Sequence, residues 1–314
     1  MRKALVVGID EYPQPLNGAV NDAKAMAEVL STNGDGSPNF DVKLMISTEK
    51  KIDRINLRKG IDALFADESE IALMYFAGHG TLQSTGGYLV ATDVKEYNEG
   101  VSMDELLSMA NKSKSKNKII FLDCCHSGAC GVPAINENAM SQLKEGVSIL
   151  TASRDSGSAL EVNGHGVFTT LAVDAMKGGA ADLRGHITPG SIYAYVDQAL
   201  GAWDQRPIFK TNISSFTSIR TVTPRVPAET LRKLIKYFRN PQEEHALDPS
   251  YEDTYKNHDP EKVKIFKDLQ KFVSVGLVAP VNAEHMYYAA INSKSCRLTV
   301  LGYQYWRLAR DRRI

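Results

Sequence analysis

The chain is poor in cysteine, and its four cysteines are badly placed for cross-linking. Cys124, Cys125 and Cys130 crowd into one stretch while Cys296 stands alone, which is not the spacing of a disulfide framework. Adjacent cysteines also have the wrong spacing for a zinc knuckle. Free thiols in a reducing compartment are the expectation. Long apolar runs are missing too, since none approaches the roughly 18 residues of a membrane span. The apolar stretch Ala4-Leu-Val-Val-Gly8 after Met1-Arg-Lys is too short for a secretory signal. A soluble, cytoplasmic protein with no membrane partner is therefore expected. An excess of charge of one sign is also lacking. Lys+Arg and Asp+Glu both count 37, so net charge excludes no partner. Its distribution is uneven: from Arg225 onward there are 16 basic and 11 acidic residues, against 21 and 26 before it.

What is present is a core large enough for more than one domain, with 43% apolar residues in a chain of 314. Apolar, β-branched runs predict strands over 3–9, 40–46, 71–76, 118–122 and 147–152, with a hairpin arm over 86–91. Between them, apolar residues at helical spacing predict helices over 19–31, 53–65 and 102–110. The second should be capped near Thr48 or Asp53. Ser102 followed by Glu105 is a capping pattern for the third. Further helices are expected from about 164 to 177 and over 191–203, with a last edge element at 206–209. Strand alternating with helix implies an α/β fold: a mostly parallel sheet covered on both faces. Pro224 and Pro227 mark a boundary, giving domains over 1–222 and 228–314. Beyond it, helices at 230–239, 261–275 and 301–310, with a β-wing from 277–280, 286–290 and 296–299, suggest a small winged-helix-like module.

Two of the apolar runs stop in the same manner. Lys118-Ile-Ile-Phe-Leu breaks into Asp123-Cys-Cys-His-Ser-Gly128, and Ile71-Ala-Leu-Met-Tyr-Phe76 ends in Ala77-Gly-His-Gly80. Open α/β sheets build their sites beyond the C-terminal ends of their strands. If these two strands are parallel neighbours, His79 meets a cysteine of the 124–125 pair at one sheet edge. A thiol beside an imidazole is the minimal activated nucleophile. Successive strand residues face opposite sides, so only one of that pair can face the cleft, and Cys124 is expected to pack inward.

Tyr75-Phe-Ala-Gly-His-Gly80 paired with Asp123-Cys-Cys-His-Ser-Gly128 resembles the caspase-like cysteine peptidases, in their metacaspase and bacterial orthocaspase branch. Gly8-Ile-Asp-Glu-Tyr12 with Leu16-Asn-Gly-Ala-Val-Asn-Asp-Ala23 looks like that family's N-terminal signature. Leu150-Thr-Ala-Ser153, Glu161 and Gly166-Val-Phe-Thr169 look like its small-subunit half. The likeness covers about residues 1–215. It implies that Cys125 is the nucleophile and His79 the general acid and base. It also implies that the backbone N–H groups of Gly80 and Cys125 form the oxyanion hole. His126 is the rival base; adjacent side chains rarely converge on one point, so it is read as structural.

The resemblance also implies a basic P1 side chain, Arg or Lys, bound by the acids Asp22 and Asp123 in the S1 pocket. A pocket for an acidic P1 would need arginines, and Arg154 is the one candidate. No cofactor is required. Calcium enters through the family alone: Asp93, Glu96, Glu99 and Asp104 are available acids without the spacing of a calcium loop. The 129–145 segment, with Lys144 its only basic residue, is where autocleavage of a zymogen would fall. The basic tail is expected to dock a regulatory protein partner, with nucleic acid as the other reading. A catalytically idle scaffold is the rival class for the whole chain.

Overall fold

The structure, a computed structural model, describes residues 1–95, 98–124, 143–152, 161, 162, 164–200 and 206–314. The chain divides into two units, 1–181 with 186–223, and 182–185 with 224–314. No helix among the described residues is long and apolar enough to cross a membrane.

In the first unit β1 (Arg2–Gly8) leads through α1 (Ala19–Ser31) to β2 (Asp41–Ile46). Next, α2 (Arg54–Ala66) leads to β3 (Ile71–Ala77). A small antiparallel sheet of β4 (Gly80–Gln83), β5 (Gly86–Lys95) and β6 (Asn98–Ser102) precedes α3 (Met103–Lys112) and β7 (Asn117–Asp123). Then come β8 (Val147–Thr151), the hairpin of β9 (Glu161–Val162) and β10 (His165–Gly166), and α4 (Val167–Asp174), which runs into a wider turn. β11 (His186–Ile187), α5 (Pro189–Ala199), β12 (Ile208–Asn212) and β13 (Arg220–Thr221) complete it. The main sheet has the order β12-β8-β7-β3-β1-β2, and all its pairings are parallel except that of β12, antiparallel at the edge. This is the expected α/β architecture.

Side-chain alternation sorts the central strands onto two faces. Ala4 and Val6, Leu73 and Tyr75, Ile119 and Phe121 lie in one buried cluster with α1, α4 and α5. Leu5 and Val7, Met74 and Phe76, Ile120 and Leu122 lie in the other with α2, α3 and the β5–β6 hairpin. Because both faces are covered, these strands read as unbroken apolar runs.

Helix starts are written locally. Asp53 Oδ1 accepts from the Asn56 N–H at the start of α2, and Ser102 Oγ from the Glu105 N–H at the start of α3, both at the expected caps. Helix α1 has no side-chain cap on Gly18. Its first turn is held instead by Asp10, whose carboxylate accepts from the Ala19 and Val20 N–H groups at 2.9 and 3.2 Å. Burial pushes the Asp10 carboxyl above its ordinary range, against the lowering effect of those two bonds.

The second unit contains α6 (Ala228–Leu231), α7 (Leu234–Tyr237), β14 (His245–Ala246), α8 (Pro260–Ser274), β15 (Val278–Val281), α9 (Met286–Ile291), β16 (Ser295–Leu298) and α10 (Val300–Arg310). Its sheet has the order β14-β16-β15 and is antiparallel. Two expectations are corrected here. The single helix over 230–239 is two short turns, because i→i+3 bonds from the Lys233 and Lys236 N–H groups interrupt the α-helical ladder. The 286–290 stretch is not a wing strand but helix α9, which buries Met286, Ala289 and Ala290 at i, i+3, i+4 spacing. Leu234, Phe238, Phe266, Leu269, Phe272 and Trp306 form part of this unit's core, and Trp306 Nε1 donates to the Phe238 carbonyl at 2.7 Å.

Replacing the remote cap on α1 should be felt in stability. Asp10→Ala is expected to cost about 1–2 kcal/mol, and Asp10→Asn, which keeps an acceptor, less than half of that. Thermal melts of the three proteins at neutral pH check the order.

Candidate active site

The parallel pairing of β3 with β7 sets Ala77 opposite Asp123. Past both strand ends the Gly78 N–H still donates to the Asp123 carbonyl at 3.3 Å. His79 follows Ala77 by two residues and Cys125 follows Asp123 by two. Cys125 and its neighbour His126 lie outside the described residues, as do Cys130, Arg154, Glu96 and residues 129–142 of the expected cleavage segment.

His79 is half-buried and held from three sides. Its backbone N–H donates to the Tyr12 hydroxyl at 3.1 Å, and that hydroxyl donates to the Val90 carbonyl at 3.1 Å. The two rings pack with centroids 4.6 Å apart. Gly78 permits this approach, since a Cβ there would sit 2.5 Å from the Tyr12 hydroxyl. Burial pushes the Tyr12 phenol well above its ordinary range, so it stays a neutral donor. The third hold is Nε2, 2.9 Å from the Gln14 carbonyl. A carbonyl only accepts, so the neutral ring carries its hydrogen on Nε2 and leaves Nδ1 as the basic atom. Gly80 begins β4, paired with Leu89.

Cys124 is buried in the cluster that contains Phe76 and Leu122, the inward packing expected of it. Asp123, one residue earlier, faces the opposite side of the sheet. There it meets Asp22 from the first turn of α1. Both carboxylates are buried, at 3% exposure for Asp22 and 8% for Asp123. Asp22 Oδ2 accepts the Gly166 N–H at 2.9 Å, and Asp123 Oδ2 accepts the Thr169 hydroxyl at 2.5 Å. A Cβ on Gly166 would lie 3.0 Å from Asp22 Oδ2 and 2.9 Å from Asp123 Oδ2, so the missing side chain lets both acids share one small space. Tyr75 is bonded to the Thr169 hydroxyl at 2.6 Å, and burial first, then the charges of Asp123 and Asp22, hold its phenol far above the usual range. Asp22 also lines a hollow of about 260 Å³ with His165, Thr170, Asp174 and Lys177.

The two sequence-named acids are thus brought together, and His79 stands at the end of the strand beside Asp123. Tyr12, Gln14, Gly166, Thr169 and His165 were not given roles by sequence reasoning. Tyr12 and the Gly166-Val-Phe-Thr169 run were visible as signatures, but their partners come from distant segments. Of the acids considered for calcium, Asp93, Glu99 and Asp104 lie among the described residues. Asp93 caps α2 through the Arg54 N–H and accepts from Asn98 Nδ2. Among the described residues, no group of three or more His, Cys, Asp or Glu side chains is placed to hold a metal ion.

Residues 1–222 match the family model of the caspase domain, peptidase family C14, and the chain belongs to that family. Its function is accordingly of the cysteine-peptidase type. The fold is similar to caspase-1 from Spodoptera frugiperda, at 14% identity and a TM-score of 0.51 over 71% of this chain and 91% of that one. A Geobacter sulfurreducens protein solved as a structural-genomics target is similar at 14% identity and a TM-score of 0.51, over 71% of this chain and all of the other. At that identity the likeness shows the fold alone. No curated protein matches the chain.

Thiol chemistry separates the cysteines. Burial pushes the Cys296 thiol up to about 12, which leaves a thiolate fraction on the order of 10⁻⁴ at pH 8. Brief iodoacetamide treatment at pH 8 should leave Cys296 and Cys124 unmodified in the folded protein and modify both after denaturation. Peptide mass mapping reads the difference.

Proposed function

We propose that the chain is an endopeptidase that cuts protein substrates after Arg or Lys. Cys125, as thiolate, attacks the scissile carbonyl carbon and forms a tetrahedral adduct whose oxyanion is held by the Gly80 and Cys125 N–H groups. His79 gives a proton to the leaving amine, and the acyl-enzyme forms. His79 then takes a proton from the water that attacks the thioester, returning acid product and thiol. Nδ1 is the atom suited to both transfers, because Nε2 is occupied by Gln14. Asp22 and Asp123 receive the P1 cation: a buried carboxylate pair favours a bound cation and disfavours a neutral or acidic side chain. No metal or cofactor takes part in these steps. The 228–314 region acts as a winged-helix-like regulatory module that docks a protein partner.

The observation that supports this reading is the Ala77–Asp123 register, which ends β3 two residues before His79 and β7 two residues before Cys125 in the sequence. A fluorogenic panel with Arg, Lys or Asp at P1, with and without calcium, tests it. Turnover after Arg and Lys is expected, and it should vanish in Cys125→Ala and His79→Ala. Asp123→Asn should lower kcat/KM for Arg by about 10–100-fold. Turnover confined to Asp would remove the assigned role of both acids. No turnover, with no covalent capture of Cys125 by an Arg-containing acyloxymethyl ketone, would leave a scaffold.

A further inference from the structure

Asp22 has its two oxygens divided between neighbouring residues of one hairpin. Oδ2 takes the Gly166 N–H, and Oδ1 lies 2.8 Å from His165 Nδ1. The Asp22 side chain is 4% exposed while that of His165 is 42% exposed. The imidazole therefore covers the acid and is itself open to solvent. β10 packs on α1 and α4 and pairs with β9. Among the described residues, the other charged groups on that side are Asp123, across Gly166, and Asp174 and Lys177, which line the same hollow.

We propose that His165 is a specificity-determining positioning residue. It presents Asp22 as an ionised, oriented carboxylate when its ring is neutral, and neutralises Asp22 as an imidazolium when protonated, so that recognition of a basic P1 side chain weakens as pH falls. The proposal rests on the reading of Asp22 as a P1-binding acid.

The neutral ring donates its Nδ1 hydrogen to Asp22 and leaves the carboxylate its full charge. Uptake of a solvent proton at Nε2 turns the contact into an ion pair, and a guanidinium or ammonium arriving at Asp22 then meets a competing cation. An imidazole exchanges that proton between about pH 5 and 8, the range in which a cell changes its compartments. The coupling is reciprocal: a bound P1 cation must favour loss of the His165 proton by the same factor by which protonation weakens binding. Two cations sharing one buried carboxylate differ from one by about tenfold or more in affinity. The sign follows: KM for a basic P1 is low above the imidazole titration and rises below it. His79 in its proposed role acts on kcat, so the split between kcat and KM distinguishes the two histidines.

The test is kcat and KM from about pH 5.5 to 8 for matched peptides with arginine or neutral citrulline at P1. In the wild type, KM for the arginine peptide should rise about tenfold toward low pH, and KM for the citrulline peptide should not. His165→Gln keeps a donor to Asp22 and cannot titrate, so its KM for arginine should stay flat at the low value. His165→Ala should be flat at a higher value, and the glutamine variant rescues it. A glutamine variant that follows the wild-type KM profile overturns the proposal. Cleavage after Arg with a pH-independent KM in the wild type overturns the proposal and leaves the protease reading standing; no cleavage after Arg or Lys overturns both. Should a variant fail to fold, NMR titration of His165 in the Cys125→Ala protein decides. The arginine peptide should lower its midpoint by about one unit and the citrulline peptide should not move it. Equal midpoints overturn the proposal.

Discussion

The candidate site depends on one constraint, the register of two parallel strands whose apolar runs end together. With Ala77 opposite Asp123, the last side chain of β7 is a carboxylate and the next is a thiol. The twofold alternation of an extended chain then assigns them to opposite faces. Asp123 falls on the side covered by α1 and α4, and Cys124 on the side covered by α2 and α3. A one-residue slip would exchange these assignments, placing a carboxylate among Phe76, Leu89 and Val90. Burying an unpaired charge costs several kcal/mol, so the acid helps fix the register that the apolar runs alone leave less firmly defined.

Two buried acids beside each other need a surrounding that accepts charge. Here small groups and local donors contribute to it. Asp22 sits in the first turn of a helix, where free N–H groups and the helix dipole favour a negative charge. Gly166 contributes a backbone N–H and no side chain; Thr169 contributes a hydroxyl backed by Tyr75. The hairpin carrying Gly166 also carries His165, so two consecutive residues bond the two oxygens of Asp22. On the other strand end His79 is held by backbone and a neutral phenol, contacts that orient the ring without adding charge.

Much of this was legible in the sequence because it is written locally. The strands read as apolar runs since both faces of the sheet are covered. Capping at Asp53 and Ser102 was legible because a cap and the N–H that donates to it are three residues apart. What was not legible required distant partners. The Tyr12 hydroxyl serves the His79 amide 67 positions away, and Asp22 meets His165 across 143. Asp10 caps a helix from nine residues upstream, beyond the window in which caps are sought. In the second unit, Met286-Tyr-Tyr-Ala-Ala-Ile invites a strand through its β-favouring aromatics, yet Met286, Ala289 and Ala290 keep helical spacing, and burial of that stripe decides the outcome.

The same locality explains why the acids could be named while their control could not. An aspartate before a cysteine is a pattern; the proton inventory around an aspartate is a property of the packed hairpin. Asp22 is nearly inaccessible, but one of its partners, His165, is open to solvent, so on the proposed reading the charge of a buried group is set from outside through that imidazole. A carboxylate capped by an arginine would be fixed in its state over the whole physiological range, and one capped only by backbone would be equally insensitive. On the proposed reading of Asp22 as a P1-binding acid, a histidine in that place couples specificity to pH, because an imidazole exchanges its charge near neutrality while keeping its hydrogen bond in both states.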